Sequence, residues 1–187
     1  MNIQKRAKCV LVGDAGVGKS SIMQKITNDT FTSIESTLGA SYYQENIHDV
    51  CLDFWDTAGQ ERYRSLIPMY LKNAFLILVV FDLNHHQSFD SLKYWFNTIK
   101  YEDAQIVLIG NKHDLKKQVS NEEINNLMYK TDLDLSYIEI SCKNGFNFDD
   151  LKKIIKNKCE ILKFKKDDDS KSIILDDKPS KSCCIIF

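Results

Sequence analysis

Apolar residues in this chain gather into short runs, and the stretches between them carry helical spacing. The runs at 7–12 (Ala-Lys-Cys-Val-Leu-Val) and 74–81 (Ala-Phe-Leu-Ile-Leu-Val-Val-Phe) are nearly unbroken. Runs of this length suit strands that are buried on both faces of a parallel sheet. The pattern predicts strands at 8–12, 41–46, 50–55, 74–81, 106–111 and 136–140. It predicts helices at 19–28, 68–72, 87–101, 120–130 and 148–163. The last helix carries Phe148, Leu151, Ile154, Ile155, Ile161 and Leu162 at close to helical spacing. Ser120 and Glu123 have the spacing of a capping box, and Asn147 is the expected N-cap of the final helix. Strands alternating with helices argue for an α/β fold on a parallel sheet. From 165 to 182 the texture turns to Lys, Asp and Ser. The reading is therefore one folded domain over 1–164 and a mobile tail over 165–187.

Bulk properties remove several classes of function. A chain of 187 residues fits one domain with a real core. A net charge of −1 gives no reason to expect a nucleic-acid partner. No apolar run approaches the length of a membrane span, and residues 1–6 lack the apolar core of a signal peptide. The six cysteines (Cys9, Cys51, Cys142, Cys159, Cys183 and Cys184) show no metal-ligand spacing and fit a reducing cytosol.

Residues 13–20 read Gly-Asp-Ala-Gly-Val-Gly-Lys-Ser, which fits the phosphate-loop pattern G-x-x-x-x-G-K-[ST] at every fixed position. A predicted strand precedes it and a predicted helix follows it. Strand, glycine-rich turn and helix N-terminus together make an anion site, in which backbone N–H groups wrap phosphates. Gly13, Asp14, Ala15, Gly16, Val17, Gly18, Lys19, Ser20 and Ser21 are its candidate residues. Lys19 can reach the outer phosphates, and the Ser20 hydroxyl can ligate Mg²⁺. The loop alone does not choose between ATP and GTP.

Two later motifs narrow the nucleotide. Asn111-Lys112-His113-Asp114 follows the predicted strand 106–111, and ligands of open α/β sheets bind at such carboxyl ends. The Asp114 carboxylate can accept two hydrogen bonds from the N1–H and N2–H₂ edge of guanine, a pair that adenine does not offer. The apolar stem of Lys112 can lie along the base. Ser141, Cys142 and Lys143 follow the next strand and can bring backbone N–H groups to the guanine oxygen. A third motif, Asp56-Thr57-Ala58-Gly59-Gln60, ends the strand 50–55. There Asp56 can hold Mg²⁺ through a water, the Gly59 N–H can approach a γ-phosphate, and Gln60 can orient the attacking water. Thr37, between the phosphate loop and this strand, can complete the Mg²⁺ shell.

Together these motifs resemble those of a Rab GTPase of the Ras superfamily. The resemblance covers about residues 7–164 and the last five. It rests on residues 13–20, on Thr37-Leu38-Gly39, on Trp55 through Glu61, on Asn111 through Asp114 and on Ser141 through Lys143, in the family's order. The run from Arg62 to Tyr70 is similar to Golgi-type Rabs, whereas Thr37-Leu38-Gly39-Ala40 looks more like endosomal ones, so no subfamily is chosen. The resemblance implies a six-stranded, mostly parallel sheet flanked by five helices. It implies that Phe31 covers the guanine edge and that Tyr42, Trp55 and Tyr70 form an aromatic surface for effectors. It also implies bound GTP or GDP with Mg²⁺, an exchange factor, an activating protein, prenylation escort and dissociation-inhibitor proteins, and a monomer cycling between cytosol and the cytoplasmic face of an intracellular membrane. Three departures stand out: a shorter segment before Thr37 with Ile34 in place of an aromatic residue, a shorter stretch from Thr37 to Asp56 that should truncate the hairpin near 47–49, and Ala15 in the phosphate loop.

The chain ends Cys183-Cys184-Ile185-Ile186-Phe187, and its last four residues fit a prenylation motif whose terminal Phe points to geranylgeranyl. The lysines of the tail are offset by aspartates, so a second lipid is the expected second membrane signal. The resemblance suggests that both cysteines are prenylated; palmitoylation of Cys183 is the alternative. The expected function is a prenylated, Mg²⁺-dependent GTPase that switches partners in vesicle traffic. A P-loop kinase or ATPase and a non-hydrolysing scaffold are the competing readings.

Overall fold

The structure is a computed structural model that describes residues 5–31, 37–47 and 50–164, without the side chains of 161–164. Its strands are β1 (Lys5–Val12), β2 (Ala40–Ile47), β3 (Val50–Thr57), β4 (Leu76–Asp82), β5 (Gln105–Asn111) and β6 (Leu135–Glu139). They form one sheet in the order β2-β3-β1-β4-β5-β6. Only β2 runs antiparallel, against β3, with Ile47 paired to Val50. The other five strands are parallel, so the loops that follow them emerge along one edge. Chain order reverses around β1, with β3 on one side and β4 on the other, and ligand crevices of open sheets form at such a reversal.

The helices are α1 (Lys19–Asn28), α2 (Ile67–Leu71), α3 (His86–Asp90), α4 (Leu92–Ile99), α5 (Asn121–Lys130) and α6 (Phe148–Phe164). α3 and α4 meet at Ser91, whose backbone is itself helical, as one interrupted element, so five helices flank the sheet. Alternate residues of the central strands feed two cores. Cys9, Leu11, Leu78 and Val80 pack with Ile22 and Met23 of α1 and Leu151 and Ile155 of α6 on one face. Val10, Val12, Ile77 and Val79 pack with Leu71 of α2, Trp95 and Phe96 of α4 and Ile124 of α5 on the other. Burial on both faces is why these strands read as continuous apolar runs. Each fully buried Leu, Ile or Val contributes about 1.5–3 kcal/mol relative to exposure.

Two local features depart from the expectation. The helix expected over 87–101 is interrupted at Ser91 and ends at Ile99; the Ser91 hydroxyl donates back to the Gln87 carbonyl at 3.0 Å. Residues Glu61–Leu66 form a 3₁₀ helix that the apolar pattern did not indicate. Asn147 stands at the expected N-cap of α6, its carbonyl accepting from the Leu151 N–H at 3.0 Å, while its side-chain amide donates to the Glu139 carbonyl at 3.0 Å and ties α6 to β6. The capping box before α5 forms as expected, with the Glu123 N–H donating to Ser120 Oγ and the Ser120 N–H to the Glu123 carboxylate. The expected tail, with Cys183 and Cys184, lies outside the described residues, as do Ile34 and residues 48–49. Among the described residues no helix is long and apolar enough to cross a membrane.

Candidate nucleotide-binding site

The loop between β1 and α1 sits at the carboxyl edge of the sheet. Gly18 is the N-cap of α1 with φ 99°, and a Cβ there would fall 2.3 Å from Asn111 Nδ2. Only glycine allows that approach, and Asn111 uses it to donate to the Val17 carbonyl at 2.9 Å. The motif at the end of β5 is thereby bonded to the loop at the end of β1. Lys19 is buried and curls over the loop, donating to the carbonyls of Gly13 at 2.8 Å and Asp14 at 2.7 Å. Burial pulls its ammonium down to about 8, against the opposing pull of the Asp56 and Asp14 carboxylates.

A second cluster lies beyond Asn111. Ser141 Oγ donates to Asp114 Oδ1 at 2.6 Å, and Lys143 Nζ stands 3.9 Å from Asp114 Oδ2. The carboxylate keeps acceptor capacity beyond the one bond to Ser141. Lys112 takes φ 64° and pairs with Asp82 at 2.8 Å. Asp82 ends β4 and was missed from sequence, since nothing local distinguishes it from other strand-ending aspartates. Gly16, Gly18, Ser21, Phe31, Asn111, Lys112, Asp114, Leu115, Cys142 and Lys143 line a cleft of about 340 Å³. Phe31 is half-exposed at its rim. The Cys142 thiol is pushed up to about 12, chiefly by burial, so it enters as a neutral wall.

The third cluster is built of oxygen. Ser20 Oγ donates to Asp56 Oδ2 at 2.5 Å and lies 2.9 Å from Thr37 Oγ1, which is 3.4 Å from the same carboxylate oxygen. Asp56 Oδ1 is buried without a hydrogen-bond partner among the described residues. Burial holds the Asp56 carboxyl above the usual range despite the bonds from Ser20 and Thr37. Two hydroxyls and one carboxylate with a spare oxygen match the hard-oxygen preference of Mg²⁺, which is bound through few carboxylates plus phosphate and water. Among the described residues no group of three or more His, Cys, Asp or Glu could hold a metal instead. Beside this cluster Gly59 lies against the phosphate loop. A Cβ on it would meet Asp14 backbone atoms at 2.3–2.4 Å. Gln60, the next residue, is the N-cap of the 3₁₀ helix.

Comparison with known proteins agrees with this geometry. The sequence model of the Ras family matches residues 8–160. Ras-related protein Rab-5B of Plasmodium falciparum is 39% identical over 151 residues, which is 76% of this chain and 72% of that one. Ras-related protein RABF2a of Arabidopsis thaliana is 38% identical over 155 residues, 78% and 76% of the two chains. Ras-related protein SEC4 of Candida albicans is 37% identical over 154 residues, 77% and 72% of the two. The chain is a Rab GTPase of the Ras family. As a Rab it binds guanine nucleotide, hydrolyses GTP and belongs to vesicle traffic.

In this Rab the three aromatics singled out from sequence stand side by side. The Tyr42 and Trp55 rings are 5.2 Å apart, and those of Trp55 and Tyr70 are 5.7 Å apart. They come from β2, β3 and α2. Tyr42 is exposed and accepts from Arg6 at 2.9 Å, while Trp55 and Tyr70 are only partly buried against the core. Within the described region the structure places the expected residues of the phosphate loop, the oxygen cluster and the base cleft along one edge of the sheet, and sets the three aromatics in a row.

Proposed function

We propose that this Rab is a Mg²⁺-dependent switch whose described side chains divide the work as follows. Ser20, Thr37 and Asp56 hold Mg²⁺, and Asp56 Oδ1, buried and unpaired, supports that assignment more than any other single observation. Mg²⁺ supplies neutralisation of phosphate charge when bound. Residues 13–21 cradle the phosphates with backbone N–H groups, and Lys19 sets its ammonium beside the outer ones. Asp114, held by Ser141, reads the guanine edge, with Asn111, Lys112, Cys142, Lys143 and Phe31 forming the rest of the cleft. Thr37 and Gly59 respond to the γ-phosphate, and Gln60 orients the attacking water. Arg64, the arginine described next to the phosphate loop, faces Asp14 and the rings of Tyr94 and Trp95. With no arginine supplied in cis, hydrolysis alone is slow, and an activating protein's arginine adds about 10³–10⁵ in rate.

The remaining partners follow from the same reading. An exchange factor reloads the site, effectors read Tyr42, Trp55 and Tyr70, and escort and dissociation-inhibitor proteins handle the prenylated form. Lipid on Cys183 and Cys184 fixes the protein to the cytoplasmic face of an intracellular membrane between cytosolic phases. Single-turnover hydrolysis tests the central claim. Wild type in Mg²⁺ should convert bound GTP to GDP, and Gln60→Leu should bind GTP and barely hydrolyse it. Equal rates for the two proteins, or a wild-type rate unchanged by EDTA, overturn the reading.

A further inference from the structure

Asp14 receives two side chains from distant parts of the chain. Trp95 Nε1 of α4 donates to Asp14 Oδ1 at 3.0 Å, and Arg64 of the 3₁₀ helix places Nη2 3.4 Å from the same oxygen. The Arg64 guanidinium also lies over two rings, 4.6 Å from the centre of Tyr94 and 5.9 Å from that of Trp95. Those rings pack edge to face, 5.1 Å apart. Only a flat cation can stack on the rings and still aim an N–H at the carboxylate, so lysine would not serve. The main chain of Asp14 meanwhile abuts Gly59. One residue of the phosphate loop therefore grips the segment from Gly59 to Arg64 at both ends, by backbone at Gly59 and by side chain at Arg64.

Gln60 lies between the two grips. We infer that Arg64 is a positioning residue for GTP hydrolysis, clamping the Gln60-bearing turn to the phosphate loop through Asp14 and Trp95. From Gln60 to Arg64 a 3₁₀ path rises only about 8 Å, so a shift at one end is felt at the other. The clamp is closed in an arrangement that also has Thr37 drawn to Ser20 and Asp56. It is a loose clamp: Arg64 Nε is buried without a hydrogen-bond partner among the described residues, which disfavours the closed state. A segment held this way opens when Thr37 and Gly59 lose the γ-phosphate.

The inference rests on the role proposed above for Gln60, and Trp95 allows the two to be tested apart. The chain has two tryptophans, Trp55 and Trp95, so Trp55→Phe leaves Trp95 as sole emitter. In that background Trp95 emission should differ between the GDP form and a form loaded with a non-hydrolysable GTP analogue. Arg64→Ala should erase the difference and slow single-turnover hydrolysis roughly tenfold, as misplaced catalytic groups do, with nucleotide dissociation little changed. Arg64→Lys should fail to restore either signal. Asp14→Ala, which removes the shared acceptor, should reproduce both effects, and Arg64→Ala with Asp14→Ala should be no slower than the worse single variant. Emission blind to the nucleotide, hydrolysis by Arg64→Ala at the wild-type rate, or losses that multiply in the double variant would each overturn the clamp. Gln60→Leu should keep the nucleotide-dependent emission, so an error about Gln60 shows in turnover alone.

Discussion

Ser20 and Thr37 stand 17 positions apart, and their hydroxyls meet at 2.9 Å beside the Asp56 carboxylate. The start of α1, the end of β3 and the segment that leads into β2 thus share one oxygen cluster. A change at Ser20 should be felt first through the metal. Ser20→Asn replaces a compact hydroxyl with a bulkier amide, and Mg²⁺ affinity should fall on the order of 10–100-fold. The variant should keep GDP or stand empty in preference to GTP. Titration of labelled GDP and GTP with varied Mg²⁺ checks this, and an unchanged GTP preference counts against the assignment.

Base choice should reside in Asp114, fixed at 2.6 Å by Ser141. Asp114→Asn keeps the shape and exchanges an acceptor for a carboxamide that can donate to the 2-oxo group of xanthine. GTP should weaken and XTP should gain, by up to several powers of ten between them, the scale at which mismatched buried hydrogen-bonding groups discriminate. Competition binding with the two nucleotides reads the switch.

The bridge between α3 and α5 predicts a pH dependence of stability. His86 Nε2 lies 2.8 Å from Glu123 and Nδ1 lies 3.1 Å from Asp90. These carboxylates, Glu123 first, raise His86 above its ordinary 6.5, and His86 with Ser120 draws Glu123 down to about 2. With its folded value raised, the His86 contribution is whole below 6.5 and fades as pH climbs through that raised value. The Glu123 contribution is whole above its ordinary 4.5 and fades as pH falls towards about 2. The urea midpoint of His86→Ala should therefore lie below wild type near pH 6 and converge with it in alkali.

Sequence made the centre of the sheet legible because its inner strands are buried on both faces. β1, β4 and β5 read as apolar runs without competing signals, and the glycines and Lys19 between β1 and α1 are local chemistry. What escaped depends on contacts remote in sequence. Asp82 became informative only through Lys112, and Arg64 and Trp95 only through Asp14. The 3₁₀ helix at Glu61–Leu66 buries none of its residues, so it leaves no apolar period to detect. The interruption at Ser91 was hidden for the opposite reason: Phe89, Leu92, Trp95 and Phe96 on both sides of it are all buried in one core.

Membrane attachment should require Cys183 and Cys184 together. One lipid chain leaves binding reversible, and lysines offset by aspartates give the tail little attraction to anionic lipid. Either Cys→Ser change should release much of the protein to the soluble fraction, and both changes nearly all of it. Fractionation with mass spectrometry of the terminus is the check; stable membrane binding by the double variant refutes the anchor.

The bond from Asn111 to the Val17 carbonyl ties the base cleft to the phosphate loop. A nucleotide that occupies both is then a structural member of the native state, bridging the loops that follow β1, β3 and β5 beyond the paired edge of the sheet. Bound only by the folded chain, it shifts the unfolding equilibrium by RT ln(1 + [L]/Kd), about 4 kcal/mol at a thousandfold excess over Kd. Changes that loosen nucleotide will therefore lower the melting temperature even at positions that pack against nothing, and the resistance of this Rab to heat or proteolysis becomes a readout of the nucleotide supply around it.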